Sequence, residues 1–386
     1  MNFISFSPHF PPNFINFWVQ LRHKGVNVLG LGEAPFNDLA YELQTNLVEY
    51  YRVSNQHNYD ELVRAMGYFT HRYGKIDRIE SHNEYWLEND ARLRTDFNIR
   101  GLKVGDMPAI KRKSEMKKIF IQLGLNAASG RVCKTIKEAR LLVDETGFPL
   151  VAKPDIGVGA SHTYAISSQA ELENFFANKP LIDFIIEEYV PGVIQTYDGL
   201  VDQDGQIVFR SSLEYSEGVM NLVNQGTDFY YFTHRHISPV LEAAGRRLVE
   251  IYGLRERFFH FEFFRVADDE YVALEVNMRP PGGLTTDMWN YANDVDIYRG
   301  YADIVVDNHF EAPVIPPYHC AYFSRRNARS YCHSHEQVLA AFSHQIVSHS
   351  PISGVFAAAL GDYGYVARSP ELDDLSDMAD WIMRQA

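Results

Sequence analysis

The feature that most constrains the fold is a pair of apolar segments on either side of Asp268-Asp269. The first reads FFHFEFFRV from Phe258, and the second reads EYVALEVN from Glu270. Both alternate as β-strands do, and the acidic residues between them are typical of a turn, so the stretch predicts an antiparallel hairpin. A loop centred on Asp268-Asp269 places Glu262 directly opposite Glu275. The predicted polar face carries Glu262, Glu275, His260, Phe264, Ala273 and Asn277, and the predicted core face carries Phe261, Phe263, Leu274 and Val276.

Two opposed carboxylates repel each other, and a fold keeps such a pair when a cation lies between them or when one carboxyl is protonated. Mg²⁺ is the simplest cation here, because it prefers oxygen ligands and leaves coordination positions for phosphate. Asn277 adds an amide oxygen, and Arg279 follows with a guanidinium suited to phosphoryl oxygens. The row therefore predicts a metal and phosphate platform, and an ordinary polar surface face is the alternative.

A second set of residues suited to phosphate precedes the hairpin. Lys153 ends the apolar strand FPLVAK and is followed by Gly157 and Gly159 in DIGVGASH. Glycines let backbone N–H groups approach phosphates, and a lysine adds a positive charge, although an ordinary glycine turn also fits. No GKS or GKT follows, so this is not a Walker A loop. Upstream, a basic helix carries charges that we expect to be mostly solvated, with one able to point inward: Lys111, Arg112, Lys113, Lys117 and Lys118.

The first hundred residues alternate strand and helix patterns, which predicts a parallel sheet with crossover helices such as Tyr59–Tyr73. Ligands gather at the carboxyl ends of the strands in such sheets, which singles out the loops Ser7–Asn13 and Glu80–Glu84. No GxGxxG follows the first strand, so a dinucleotide site is not indicated. Far along the chain, Val355–Ala359 reads as a further strand.

Taken together and in order, five motifs resemble those of the ATP-grasp superfamily, in its branch of carboxylate–amine (amino-acid) ligases and carbamoyl phosphate synthases. They are Lys113, VAKPDIGVGASH, IIEEYVPG, FHFEFF and LEVNMRPPGG. The resemblance implies that Lys113 and Lys153 hold the phosphates of ATP and that a loop with Gly157, Gly159 and Ser161 covers them. It implies that Glu187, with the backbone of Glu188, Tyr189 and Val190, binds the adenine. It implies two Mg²⁺ ions, for which Mn²⁺ could substitute, on Glu262, Glu275 and Asn277. It implies catalytic roles for Arg279, Lys153 and Glu275 and a substrate loop that contains Arg279, Gly282 and Gly283, to which we add His260 and Arg325 as further hypotheses.

The fold that the resemblance implies is an α/β ATP-grasp fold in three parts. A parallel α/β domain is expected over residues 1–105, a linker helix with a small lid over 106–190, and a domain with a mixed or antiparallel sheet over 191–386. Family members commonly carry an acidic residue after the Pro-Gly that binds the ribose. Here the sequence is PGVIQTYDG, so the ribose contact stays open, with Asp198 as one candidate.

The activity that the resemblance implies is ATP-dependent ligation. A carboxylate is phosphorylated to an acyl phosphate, an amine attacks it, and an amide or peptide bond forms with release of ADP and phosphate. Two alternatives stay open. One is a bicarbonate-using carboxylase or carbamoyl-phosphate-type ligase, and the other is an ATP-binding regulatory protein with weak catalysis.

The composition indicates which classes of partner and which compartment to expect. A net charge of −14 makes nucleic acid a poor partner. The chain contains no apolar run of the roughly 18–20 residues that a membrane span needs, and its start lacks a signal-peptide pattern. Three widely spaced cysteines fit a reducing compartment. We therefore expect a cytoplasmic enzyme that acts on small-molecule carboxylates and amines, with a homodimer as an open possibility.

Overall fold

Three β-sheets follow one another along the chain. This computed structural model describes residues 1–157, 162–216, 228–352 and 354–386. The first sheet is parallel, with the strand order β3-β2-β1-β4. Its buried strands are apolar on both faces because crossover helices cover them, as is usual in parallel sheets. Its elements are β1 (Asn2–Phe6), α1 (Ile15–His23), β2 (Asn27–Gly32), α2 (Tyr41–Asn46), β3 (Glu49–Arg52), α3 (Tyr59–Tyr73), β4 (Arg78–Glu80) and α4 (Leu87–Asp96).

The second sheet is small and antiparallel, with the order β5-β8-β6-β7. Its helix α7 begins at a capping box formed by Thr135 and Glu138 and ends at Gly147, whose positive φ suits a helix C-terminus. Two helices of the predicted basic segment lead into this sheet. The elements are α5 (Met107–Lys111), α6 (Lys113–Gln122), β5 (Gly130–Val132), α7 (Ile136–Thr146), β6 (Leu150–Pro154), β7 (Tyr164–Ile166), α8 (Gln169–Asn178) and β8 (Phe184–Glu188).

The third sheet is antiparallel and contains nine strands within the described ranges, in the order β14-β13-β9-β11-β12-β15-β17-β16, with β10 also paired to β9. The strands are β9 (Val193–Val201), β10 (Ile207–Ser211), β11 (Leu213–Tyr215), β12 (Tyr230–Thr233), β13 (Arg257–Ala267), β14 (Glu270–Asn277), β15 (His319–Arg325), β16 (Ile346–Pro351) and β17 (Tyr363–Ser369). The helices that pack around them are α9 (Pro239–Ile251), α10 (Thr285–Asn293), α11 (Ile297–Asp307), α12 (His335–Ala341), α13 (Gly354–Leu360) and α14 (Leu372–Ile382). The described part of the chain also contains three short 3₁₀ helices: Pro12–Phe14, Phe36–Asp38 and Val104–Asp106.

A shared apolar core joins the first sheet to the third. Phe17 and Trp18 of α1 are buried in the same cluster as Phe258 of β13 and Tyr301 of α11. Because the two sheets share this core, the loops at the carboxyl edge of the first sheet lie against the third sheet. Within the described ranges, no helix is both long enough and apolar enough to cross a membrane.

The predicted hairpin forms, with two departures from the predicted register. Ala267 pairs with Glu270, so the turn is Asp268-Asp269, and Asp269 has φ +57°, a conformation that aspartate adopts more readily than most residues. Glu262 pairs with Glu275 as predicted, but Phe263 then pairs with Ala273. This shift is a β-bulge at Leu274, and a second shift at Val266 restores the predicted register next to the turn. The predicted faces of Ala273 and Leu274 are therefore wrong: Ala273 is buried in the core and Leu274 is not.

Helix α3 has the predicted bounds, whereas the strand predicted for Val355–Ala359 is wrong. Those residues belong to the helix α13. The run contains three consecutive alanines, and alanine has the highest helix propensity of all residues. Propensity therefore decides the conformation of this segment over its apolar pattern.

Candidate active site

The opposed carboxylates of β13 and β14 form the centre of the candidate site. Glu262 and Glu275 are direct cross-strand partners, and the neighbouring pair on the same face is His260 with Asn277. Burial raises the pKa of Glu275, and the charge of Glu262 raises it further against the opposing effect of Lys113. The ionised Glu275 carboxylate is thus held where its charge is unfavourable, so a bound cation at this place would stabilise the protein.

Glu262 differs from Glu275 because His260 supports its charge. His260 Nδ1 lies 2.7 Å from Asp198 Oδ1 and its Nε2 lies 3.0 Å from Glu262 Oε1. Burial alone would lower the pKa of His260, but the two carboxylates raise it to about 9, with the charge of Asp198 as the larger effect. Burial alone would raise the pKa of Glu262, yet the hydrogen bond with His260 leads the effects that lower it overall.

These contacts change the roles suggested for two residues. The structure places His260 between two carboxylates rather than facing a substrate, so its sequence-based assignment to substrate is not supported. Asp198 is completely buried and also accepts a hydrogen bond of 2.6 Å from Thr196 Oγ1, so it is not available to a ribose. Both residues act instead on the orientation and charge of Glu262.

The donor set fits magnesium. Two carboxylates and the buried amide of Asn277 supply hard oxygen ligands on one face of a rigid hairpin. Within the described residues, no cluster of three or more His, Cys, Asp or Glu side chains forms an all-protein metal site. Magnesium sites commonly use one or two carboxylates and are completed by phosphate and water.

Lys113 connects the linker helix, the lid and the carboxylates. Its Nζ lies 3.2 Å from Glu275 Oε1 and 3.4 Å from the Gly157 carbonyl oxygen. The start of α6 is fixed because the Ser114 N–H donates to Asp155 Oδ1 at 2.8 Å. The structure therefore brings the predicted residues Lys113, Gly157 and Glu275 together. Gly159 and Ser161 of the predicted loop lie outside the described residues.

Lys153 and Glu187 are brought together, but in a different way from the prediction. Lys153 Nζ lies 2.6 Å from Glu187 Oε2, and Lys117 Nζ lies 2.7 Å from Glu187 Oε1. Burial lowers the pKa of Lys153, but the charge of Glu187 outweighs it and the net shift is upward. The Glu187 carboxylate is thus occupied by two ammonium groups, which leaves less of it for an adenine amino group.

Lys117 is a residue that the sequence reasoning missed, since it was grouped with the solvated charges of the basic helix. It is buried, with its side chain 11% exposed. A signal was available, because Lys117 follows Lys113 by four residues and such residues lie on the same face of a helix. An inward-facing Lys113 therefore implies an inward-facing Lys117.

The segment predicted to contact adenine is partly used within the lid. The Glu188 N–H donates to the Ser129 carbonyl, and Glu188 Oε1 accepts from the Ser129 N–H at 2.6 Å. The Tyr189 N–H donates to the Pro149 carbonyl at 3.0 Å. None of these bonds involves Val190, which lies two residues after the end of β8 and is half-buried.

Arg279 lies where the site meets the first sheet. Its Nη2 donates to Asn277 Oδ1 at 3.4 Å, and its Nε lies 3.8 Å from Glu84 Oε2. Lys111 Nζ lies 4.0 Å from Glu84 Oε1. Glu84 belongs to the loop after β4, so the Glu80–Glu84 loop borders the site, in agreement with the sequence reasoning.

The glycine loop that follows Arg279 is held by the other predicted loop. Asn13 Nδ2 donates to the Gly283 carbonyl oxygen at 3.1 Å. Gly283 has φ +65°, and a Cβ there would lie 3.1 Å from Tyr231 Oη, so both its conformation and its space favour glycine. A Cβ at Gly282 would have no atom of the described residues within 4 Å. The Ser7–Asn13 loop thus also borders the site.

Arg325 does not lie among the residues of the candidate active site. Its Nη1 donates to the His333 carbonyl oxygen at 2.9 Å, and its Nε donates to the Ile382 carbonyl oxygen at 2.8 Å. Its guanidinium also stacks over the Tyr331 ring, at 4.4 Å from the ring centre. The substrate role suggested for Arg325 is not supported, because its donors anchor the C-terminal segment to β15.

Comparison with curated proteins gives distant relatives, and no family model matches the chain. The chain is 21% identical over 248 residues to the L-arginine-specific L-amino acid ligase of Bacillus subtilis, and the aligned segment covers 59% of each chain. It is 22% identical over 179 residues to the carbamoyl phosphate synthase large chain of Xanthomonas axonopodis pv. citri, which covers 43% of this chain and 16% of that one. The chain therefore spans less than two thirds of the length of these relatives.

Comparison with solved structures covers nearly the whole chain. An L-amino acid ligase from Bacillus licheniformis has a TM-score of 0.75 at 13% identity, over 98% of this chain and 95% of that one. An N5-carboxyaminoimidazole synthetase from Staphylococcus aureus complexed with ADP has a TM-score of 0.71 at 11% identity, over 98% and 96%. The chain therefore has the α/β ATP-grasp fold that its motifs predict, and its relatives are L-amino acid ligases and carbamoyl phosphate synthases, as those motifs indicate.

Proposed function

We propose that this protein is an ATP-dependent carboxylate–amine ligase that forms an amide or peptide bond through an acyl phosphate. One observation carries the proposal. Lys113 pairs with Glu275, Arg279 contacts Asn277 beside it, and Lys153 is held nearby on Glu187, where the charges of Glu275 and Glu262 help to raise its pKa. Cations and metal ligands at one place suit phosphoryl transfer, which depends on positioning and charge neutralisation.

The nucleotide is proposed to lie between the lid and the third sheet. Lys113, Lys153 and the backbone around Gly157 would hold its phosphates, and the chain beside Val190 would meet the adenine. Glu262, Glu275 and Asn277 would hold magnesium. When bound, magnesium ATP supplies the phosphoryl group and neutralises the charge of the phosphates.

The remaining residues are proposed to act on the substrates. Arg279 would bind the oxygens of the substrate carboxylate and of the phosphoryl group that it receives. The carboxylate oxygen bonds to phosphorus as ADP leaves, and the amine nitrogen then bonds to the acyl carbon as phosphate leaves and the amine loses a proton. Glu84, which faces Arg279, would hold the ammonium group of a substrate, so the pair matches the two charges of an α-amino acid. The amino-acid ligases among the relatives support this substrate class.

The three predicted domains are also part of the proposal. Each range contains one sheet: residues 1–105 the parallel sheet, 106–190 the small antiparallel sheet, and 191–386 the large one. A short backbone link supports a defined position of the lid, because the Ala273 N–H of β14 donates to the Asn126 carbonyl oxygen at 2.8 Å.

The deciding experiment measures release of ADP and phosphate from magnesium ATP with pooled amino acids and other carboxylates, and with bicarbonate in a separate arm. We expect release that requires a carboxylate and an amine together, and its loss in Glu275→Gln, which keeps the shape of the side chain but removes its charge. Release with bicarbonate alone would favour the carboxylase or carbamoyl alternative. ATP binding without release in any arm would favour the regulatory alternative.

A further inference from the structure

A cavity of about 260 Å³ lies between the first and third sheets, and its lining contains none of the residues proposed above to bind ATP, magnesium or substrate. Its walls come from the end of β4, from the segment after α4, and from the turn between α9 and β13. Tyr252, Leu102 and Leu254 give it an apolar side. The cavity is just smaller than typical drug-sized pockets of roughly 300–1,000 Å³, so it suits a small molecule.

The polar side of the cavity has more positive than negative groups, in a chain whose net charge is −14. Four arginines and three acidic residues line it: Arg78, Arg100, Arg255, Arg257, Glu80, Asp106 and Glu256. Two of the arginines are neutralised within the wall. Arg78 donates to both oxygens of Glu256, at 2.5 and 2.9 Å, and Arg257 pairs with Glu80.

The other two arginines converge at the mouth. Arg100 Nη2 and Arg255 Nη1 donate to the same carbonyl oxygen of Gln203, at 3.3 and 3.4 Å. Arg100 Nη1 lies 3.5 Å from Glu256 Oε2, which is already occupied by Arg78. Asp106 accepts from the Lys103 N–H at 2.7 Å. Arg100 Nη1 also donates to Gln203 Oε1 at 3.1 Å. Both guanidinium groups are thus held by neutral oxygens of Gln203 and retain donors for a shared anion, and guanidinium groups bind carboxylates and phosphates well.

We propose that this cavity binds a small organic anion, with its carboxylate between Arg100 and Arg255 and its apolar body against Tyr252 and Leu254. The size of the cavity suits a body of about ten non-hydrogen atoms. The anion joins the first sheet to the third, because Arg100 follows α4 and Arg255 precedes β13.

The floor of the cavity is connected to the candidate active site. Arg257 Nη1 donates to the Met278 carbonyl oxygen at 2.8 Å, and Met278 directly precedes Arg279. Glu80, which pairs with Arg257, begins the loop whose Glu84 faces Arg279. A ligand that restrains this floor restrains both sides of the Arg279–Glu84 pair. The anion is therefore a regulator of substrate binding. This regulatory role rests on the proposed function, whereas the existence of the anion site does not.

The binding test is calorimetric titration of the full chain with benzoate, inorganic phosphate and neutral methyl benzoate. Benzoate is expected to bind saturably and methyl benzoate to fail. Affinity is expected to fall by about tenfold or more in Arg255→Gln and Arg100→Gln, but to persist in the exposed-surface control Arg22→Gln and in Arg279→Gln. If phosphate bound and benzoate did not, the proposal that the ligand is an organic anion with an apolar part would be wrong. Binding lost in Arg279→Gln but kept in Arg255→Gln, or no binding of any anion, would overturn the site while leaving the ligase proposal intact.

The coupling test is hydrogen exchange of the backbone around Met278–Gly283 with and without saturating benzoate. The expected result is slower exchange there in the wild type and no change in Arg255→Gln. This readout needs no substrate and no turnover. Saturable binding with unchanged exchange in this segment would overturn the regulatory role.

Discussion

Lys117, Glu187 and Lys153 form a buried group in which one carboxylate serves two ammonium groups, at 2.7 and 2.6 Å. Glu187→Gln is therefore an informative perturbation of the proposed nucleotide site. Glutamine keeps the size and shape of the side chain, so the substitution creates no cavity. What it removes is the negative charge that holds both lysines.

The magnitude follows from the burial of the two lysines, whose side chains are 11% and 10% exposed. Removing one partner from a buried ion pair costs about 3–5 kcal/mol, because the other charge stays buried without compensation. In the control Lys117→Met, Glu187 stays paired with Lys153. Its main effect is on the Ala128 carbonyl, which loses the hydrogen bond that Lys117 donates. Its cost is expected to be about 1–3 kcal/mol.

The assay is urea unfolding at pH 7 of the wild type and both variants, with and without magnesium ATP. Without nucleotide, Glu187→Gln is expected to lose about 3–5 kcal/mol of unfolding free energy and Lys117→Met less. Phosphates bound by Lys153 would replace the lost carboxylate, so ATP is expected to stabilise Glu187→Gln at least as much as the wild type. A loss below about 1 kcal/mol in Glu187→Gln would refute the reasoning from charge. A weaker effect of ATP in the variant would refute the role of Lys153.

Three further predictions follow from the same structure. Burial lowers the pKa of His82 to about 3, so the wild type is expected to lose about 1.4 kcal/mol of unfolding free energy per unit of pH as the pH falls from about 6.5 towards 3. Urea unfolding at several pH values is expected to show that His82→Phe lacks this loss. Glu275→Gln is expected to keep or raise the unfolding free energy without ligand, because it removes repulsion from Glu262, and to abolish the stabilisation by magnesium ATP. Arg325→Met is expected to lower stability by about 2–4 kcal/mol because it leaves buried carbonyls without donors, with the KM for ATP in the folded fraction unchanged.

The central pair of the site was predicted from the position of the turn and the two-residue period of strands, which place Glu262 opposite Glu275. The pair forms although strict alternation fails between the turn and the pair. One strand has an extra residue at Val266 and the other at Leu274, and the two shifts cancel. A bulge adds one residue to one strand without a characteristic glycine here, so alternation alone cannot reveal it.

The contacts that were not predicted depend on distant parts of the chain. His260 meets Asp198 because β13 pairs with β9, and 62 residues separate the two in sequence. Arg325 is likewise fixed by carbonyls of the C-terminal segment. A polar residue on a site-facing strand is compatible with a ligand, a substrate contact or a buried partner, and only the neighbouring strand decides among these.

The charge pairs of the site also indicate how the proposed nucleotide is accommodated. Lys113 is paired with Glu275, and Lys153 is paired with Glu187. Each lysine proposed to hold phosphate thus already has a carboxylate partner. We therefore expect binding of magnesium ATP to be an exchange of partners, in which the lysines turn to phosphate and Glu275 turns to magnesium. Glu187 would keep its ion pair with Lys117, which lies on the buried face of α6. On this reasoning Lys117 is needed so that Lys153 can change partners without leaving Glu187 uncompensated.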